Sequence, residues 1–415
     1  MPDPQPQSSS ASEEVFLARQ PILDDAQRVV AYELLFRPTL LADAAGTASA
    51  QATARVISDA VLAFGLDTLT LGRPAFINVT RDLLLSGIPE ALPPGHVVVE
   101  LLEDIEGDAE VIDAVQRLRR SGYKVALDDF VLSDRTAPLV RLANYVKVEV
   151  GAGVTLETRD RVRDINPAVA LLAEKVETRE QFEASRAAGF QYFQGFFFGR
   201  PVTQAARGIP ANRVGYVQLL CALQDPDLTV DRLERLVKHD AVLCYRILRT
   251  VNSAAFAQAR RIESIRQAIL LIGRDALRRW ASIWVLAGLA DGAQAELVVM
   301  STVRARCCEL LASSLRRAPS VADAFLLGML SLIDVILERP IELLVQELPL
   351  PDRTRDALLG RDTECRRLLD CTIAYERGDW TRCLDLAARA AIDPHLLPVA
   401  HQEALRWAAD FQRAA

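Results

Sequence analysis

The chain has 415 residues, 50% of them hydrophobic and 25% charged, an ordinary soluble composition with enough length for more than one domain. A formal net charge of -7 excludes broad attraction to anionic surfaces, so neither a nucleic-acid polymer nor a lipid headgroup layer is expected as a partner. The longest uncharged apolar stretch, Trp280 to Ala290, is too short for a bilayer and excludes a membrane span at that point.

Residues 1–14, MPDPQPQSSSASEE, lack both a basic flank and an apolar core, and they predict a disordered tail and not a signal peptide. A cytoplasmic location is therefore expected. Over residues 15–204, short β-rich runs alternate with helical stretches: Val15 to Leu23, Val29 to Phe36, Ala75 to Val79, Val97 to Leu102, Lys124 to Phe130, Tyr145 to Val150, Val169 to Ala173 and Tyr192 to Phe198. Eight strands with intervening helices predict an α/β barrel of the TIM type.

Acids and amides cluster at the ends of these runs. Glu33, Asn78, Glu100, Asp128, Asp129, Glu174 and Gln194 all fall near strand ends, where a barrel delivers side chains to one mouth. Gathered there, the acids would repel one another unless divalent cations or cationic groups neutralised them, so they form a candidate metal site. Glu33 and Arg37 share a strand face by the two-residue period, which aims an acid and a cation into one cavity. Lys147, inside a β run, needs a partner if it points inward.

From Pro201 onward a loop leads into long helical segments with no convincing strand, and residues 205–415 are expected to be all-α. Leu243, Ile247, Leu248 and Val251 form one apolar stripe at helical spacing, and Leu277, Trp280, Ala281 and Trp284 another; both predict buried helix faces. Further helices are expected over Leu330 to Leu350 and Leu368 to Ala390. The seven cysteines lie in this half without metal or redox spacing, and they read as reduced, mostly buried thiols. His239-Asp240 suggests a metal-dependent hydrolase, but the chain has four histidines and no repeated His/Asp set to complete such a site. Asn252 and Ser253 read as local backbone caps.

In order along the chain, Glu33-Leu34-Leu35-Phe36-Arg37, INVT, ELLE, DDF, VKVE, AEKVE and QGFFFGRP resemble the motifs of an EAL domain. The stretches LVKHDAVLCYRILRTVNSAAF and SIRQAILLIGRDALRRW resemble an HDOD domain, and together they point to the EAL-HDOD signalling family. The resemblance implies a TIM-like barrel followed by a helical, non-catalytic interaction domain. For the barrel it implies Mg²⁺ or Mn²⁺ chemistry on cyclic di-GMP, giving pGpG in active members. It places Glu33, Asn78, Glu100 and Asp128 as metal ligands and Asp129 on a second metal, where it helps activate water. Lys147 would lie near that water, with Glu174 a further active-site acid, Gln194 a nucleotide or water contact and Arg37 a phosphate contact. Through the HDOD domain it implies a regulatory protein partner, and a homodimer is a further expectation.

Three departures stand out. Val131-Leu132-Ser133-Asp134-Arg135-Thr136 replaces the glycine-rich loop that follows DDF in active members, Leu102 replaces a threonine, and Lys175 replaces a glycine. Two readings follow: a cyclic di-GMP-linked regulator with weak or no catalysis, or a working phosphodiesterase regulated by the HDOD half.

Overall fold

The computed structural model describes residues 16–37, 65–130, 132–150, 156–195, 216, 219–220, 222–223, 225, 227–238, 240–252, 262–290, 294–315, 321–348 and 350–414. Eight strands close into one barrel in chain order: β1 Phe16–Asp24, β2 Val29–Arg37, β3 Ala75–Val79, β4 Val97–Leu101, β5 Lys124–Leu127, β6 Tyr145–Glu149, β7 Ala170–Glu174 and β8 Tyr192–Gln194. Strands β2 to β8 run parallel to one another, whereas β1 is antiparallel to both its neighbours, β2 and β8. The reason is local. Asp24 accepts from the amides of Ala26 and Arg28 at 3.0 and 2.8 Å, closing a turn too short for anything but a hairpin.

The barrel is an α/β structure as the alternation predicts, and most strand bounds agree to a residue or two. The fifth strand stops at Leu127 and not at Phe130, because Asp129 takes a φ of 37° and turns the chain out of the sheet. Of the eighth run, residues 196–198 lie outside those described. Outer helices α1 Leu66–Thr70, α2 Arg81–Leu85, α3 Ala109–Arg120, α4 Ala137–Val140, α5 Leu156–Ile165 and α6 Arg179–Ala187 cover the sheet. In α3, Val111, Ala114, Val115 and Leu118 bury one helical stripe, and Asp108 caps the first turn by accepting from Val111 N at 3.0 Å.

The rest is helical: α7 Val230–Lys238, α8 Ala241–Val251, α9 Ile265–Ile272, α10 Arg274–Leu289, α11 Ala295–Ser314, α12 Val321–Leu330, α13 Ile333–Leu337, α14 Ile341–Glu347, α15 Asp352–Leu358, α16 Glu364–Glu376, α17 Trp380–Ala390 and α18 Leu396–Ala414. Both expected apolar stripes face the core: all of their residues are buried except Leu248, which is half-buried. The two long stretches each break: Glu338 (φ 51°) with Pro340 divides the first, and Gly378 (φ 69°) divides the second. Asn252 does bond locally, donating to the carbonyls of Leu248 and Ile262 at 2.7 and 2.8 Å, while His239 and Ser253 lie outside the described residues. Five of the described cysteines are buried and free. Among the described residues no helix is long and apolar enough to cross a membrane.

The last helices return to the barrel at β1. Phe16 meets Trp380 edge-on at 6.4 Å, Tyr375 Oη accepts from Leu17 N at 3.3 Å, and Tyr32 Oη donates to Glu296 at 2.8 Å. Arg304 forks onto Glu376 through two bonds of 2.8 Å, a buried ion pair beside this seam. A cavity of about 30 Å³, lined in part by Arg19, Tyr32, Glu296, Met300, Glu376 and His401, lies between the two halves and has room for about two waters.

His401 is buried beside it with no protein partner for either ring nitrogen, and burial pushes its pKa from 6.5 down to about 4 despite Glu376. The unfolded chain therefore binds more protons between these values. The contribution of the neutral imidazole is complete above pH 6.5 and is lost as pH falls toward 4, by about 3 kcal/mol. Urea unfolding followed across this window should show His401→Phe losing less stability than the wild type; equal slopes would refute the assignment.

Candidate metal and nucleotide site at the barrel mouth

Inside the barrel, one apolar layer seals the floor: Ile22, Ala31, Phe76, Val98, Ala126 and Leu172 are buried together, with Tyr145 and Tyr192 against them. A side chain two residues further toward the mouth on each strand shares the same inward face. Those positions are Glu33, Asn78, Glu100, Lys147, Glu174 and Gln194 on their strands and Asp128 one residue beyond β5, so the period alone builds a polar layer on an apolar one. On β1 the step runs backward, because the strand is reversed, and it lands on Gln20, paired across the ladder with Glu33.

Lys147 Nζ is the hub of that layer. It donates to Glu33 at 3.2 Å and Asp128 at 2.8 Å, contacts Glu174 at 2.8 Å, and bonds closely to Glu100. Lys147 is 1% exposed and Glu100 is fully buried, so water cannot screen these charges. Burial disfavours the ammonium, but the carboxylates of Glu100, Glu33, Glu174 and Asp128 outweigh it and hold its pKa well above the usual lysine value. Glu100 is itself raised well above the carboxylate range, by burial first and by Glu33 next. Glu174 is pushed up to about 8, again chiefly by burial, with Lys147 opposing.

Amides complete the ring. Asn78 Nδ2 donates to Glu33 at 3.0 Å, and Gln194 Nε2 donates to Glu33 at 2.6 Å and to Gln20 at 2.9 Å. Gln20 Nε2 in turn donates to the carbonyl of Arg377 at 3.1 Å, so the turn between α16 and α17 touches the rim; Gly378 packs there against Leu35.

Among the described residues no three His, Cys, Asp or Glu side chains stand ready-closed around an ion; four carboxylates converge on Lys147 instead. The donor set nevertheless fits a divalent cation. Asn78 Oδ1, Glu100 Oε2, Asp129 Oδ1, Glu174 Oε2 and Gln194 Oε1 are buried oxygens with no partner in the protein. Each would cost about 1–3 kcal/mol left unsatisfied, and hard oxygen donors in negative excess suit a divalent cation.

An HDOD domain model matches residues 209–339. YuxH, an uncharacterised protein of Bacillus subtilis (strain 168), is 34% identical over 402 residues, covering 95% of this chain and 98% of its own. Cyclic di-GMP phosphodiesterase CdgJ of Vibrio cholerae is 34% identical over 414 residues, covering 96% of this chain and 93% of its own. The chain belongs to the EAL-HDOD family. A solved structure of Klebsiella pneumoniae BlrP1 with calcium and cyclic di-GMP matches 48% of this chain and 58% of its own, at 24% identity and a TM-score of 0.37.

Seven of the expected site residues meet at one point in space. Glu33, Asn78, Glu100, Asp128, Lys147, Glu174 and Gln194 lie in the ring, and Asp129 sits just outside it, facing Lys175 at 3.5 Å. The side chain of Arg37 lies outside the described residues. Beyond Val131, which is also outside, the rewritten loop bonds within itself, Ser133 N donating to Thr136 Oγ1 at 2.9 Å, and to the segment before α3, Arg135 O accepting from Gly107 N at 2.9 Å. Sequence reasoning missed Gln20. Its signal was its place two residues before Ile22, legible only once β1 is known to run backward.

Proposed function

We propose that the barrel mouth binds cyclic di-GMP together with Mg²⁺ or Mn²⁺, and that this EAL-HDOD chain is a bacterial signalling protein whose turnover of that nucleotide is weak. Support comes from the ring around Lys147 with its unpartnered buried oxygens, and from the cyclic di-GMP activity that names CdgJ. Glu33, Asn78, Glu100 and Asp128 would hold one cation and Asp129 would help hold a second. Such ions can activate water and stabilise a leaving oxygen in an in-line displacement. Lys147 offsets negative charge, Gln194 and Arg37 orient nucleotide or water, and Glu174 adds a carboxyl whose proton affinity burial raises while Lys147 opposes it. The HDOD half serves as the interaction domain, for a regulatory protein or a second copy, and the rim contact of Gln20 with Arg377 gives it a route to the mouth.

Weak turnover is favoured by one observation: Lys175 is paired to Asp129, on the rim that the altered loop adjoins, and an offset of about 1 Å can cost on the order of a hundredfold in rate. The second reading, a working phosphodiesterase, is favoured by the intact ring itself. Calorimetry with purified full-length protein, cyclic di-GMP and Mn²⁺ should show metal-dependent binding that Glu33→Ala abolishes. Chromatography should show pGpG forming at well under about 1 s⁻¹, the low end of ordinary turnover. Faster conversion, abolished by Glu33→Ala, would establish the phosphodiesterase instead.

A further inference from the structure

We infer that Lys175 is a built-in counter-ion that competes with a divalent cation for Asp129, so that the mouth takes one cation tightly and a second only weakly. The inference rests on the reading of this mouth as a divalent-cation site. It begins with backbone geometry. Glu174 on β7 and Glu149 on β6 are ladder partners, and the chain turns immediately after Glu174, with Lys175 at a φ of 53°. That left-handed conformation is uncommon for a residue with a Cβ and costs on the order of 1 kcal/mol or more, so its occupation by lysine calls for a compensating contact.

The compensation is electrostatic. Lys175 Nζ lies 2.6 Å from Glu149 Oε2 and 3.5 Å from Asp129 Oδ2. Asp129 is itself held in a left-handed turn, φ 37°, with Phe130 N tied to the carbonyl of Lys147 at 3.3 Å, so it is presented to Lys175 by its backbone. Its other oxygen, Oδ1, is buried without a hydrogen-bond partner in the protein. Asp129 therefore stands between two claims: an ammonium on one oxygen and an open acceptor on the other. The inner carboxylates already share Lys147, so each lysine offsets charge that a cation would otherwise neutralise. The outer pair is the weaker of the two, because the Lys175 side chain is 55% exposed and the Asp129 side chain 40% exposed, within reach of screening by salt.

Mn²⁺ titration of the full-length protein, by calorimetry with free Mn²⁺ counted by electron paramagnetic resonance, tests this without any turnover. The wild type should show one tight ion and a second at least about tenfold weaker. Lys175→Met, which keeps the length and removes the charge, should tighten the second ion by about tenfold, and Lys175→Gly should do the same while also relieving the turn. Lys175→Arg should behave as wild type, and the gap between wild type and Lys175→Met should shrink as ionic strength rises. Two equally tight ions in the wild type, or no change in the second ion with Lys175→Met, would overturn the inference while leaving the metal reading intact. Loss of the tight ion in Glu33→Ala marks the first site in every background. If no variant binds Mn²⁺ at all, the metal reading and this inference fall together.

Discussion

Replacing Lys147 with methionine should destabilise the barrel by about 3–5 kcal/mol, the range expected when one member of a buried charge cluster is removed and its partners are left behind. The substitution keeps the volume of the side chain, so packing is not the cause. It deletes the one ammonium that Glu33, Glu100, Asp128 and Glu174 share, three of them buried. The four tryptophans all lie beyond residue 279, and none of them is in the barrel. Hydrogen exchange of the β6 and β7 amides is therefore the measurement to use, and protection there should fall by two orders of magnitude or more at about 1.4 kcal/mol per decade.

The same variant carries a sign test. With Lys147 gone, the buried carboxyls hold their protons to higher pH in the folded state than in the unfolded chain. The folded state then binds more protons, and stability rises as pH falls toward the ordinary carboxylate range. Millimolar Mn²⁺ should restore protection in Lys147→Met by more than it adds to the wild type, since the ion supplies the missing positive charge to the folded state alone. A variant as stable as wild type at neutral pH without metal would mean that the carboxylates do not depend on the lysine.

Much of this ring was legible because parallel strands repeat one rule. Glu33, Asn78, Glu100, Asp128, Lys147, Glu174 and Gln194 each follow an inward apolar or aromatic position by two residues, and the apolar runs mark where each strand lies. Gln20 obeys the same rule in reverse, and nothing in a window of sequence around β1 states its direction. The Lys175 to Asp129 pair was hidden for another reason. It depends on two residues with side chains adopting positive φ, a conformation that pattern reasoning assigns to glycine. The seam between the halves was out of reach as well, since Leu17 meets Tyr375 across a sequence separation of 358 and no local periodicity encodes such a contact. The breaks at Glu338 and Gly378 show the usual limit of helical stripes: they report which face is buried more reliably than where one helix ends.

Gly195→Ala should disable the mouth more thoroughly than its size suggests. Gly195 follows Gln194 at the end of β8 with a φ of 145°, and a Cβ built there would stand 2.0 Å from the carbonyl oxygen and 2.5 Å from the amide nitrogen of Val176. Both atoms belong to backbone, so no rotamer can yield. The amide of Val176 also donates to the carbonyl of Gln194 at 3.0 Å, which means the methyl group would pry apart the bond that fixes the two strand ends. Strain and overpacking of this kind cost about 2–5 kcal/mol together. The displacement would move Glu174 and Lys175 on one side and Gln194, with its bond to Glu33, on the other. Calorimetry should then show Mn²⁺ and cyclic di-GMP affinity reduced by at least about a hundredfold, the scale set by a shift of about 1 Å in positioned groups. Gly72→Ala is the matched control, because Gly72 also has a positive φ, 75°, yet a Cβ there meets nothing within 4 Å. It should lose about 1 kcal/mol to backbone strain and bind normally. Equal binding losses in the two variants would place the effect in general destabilisation and remove the close approach at Val176 as its cause.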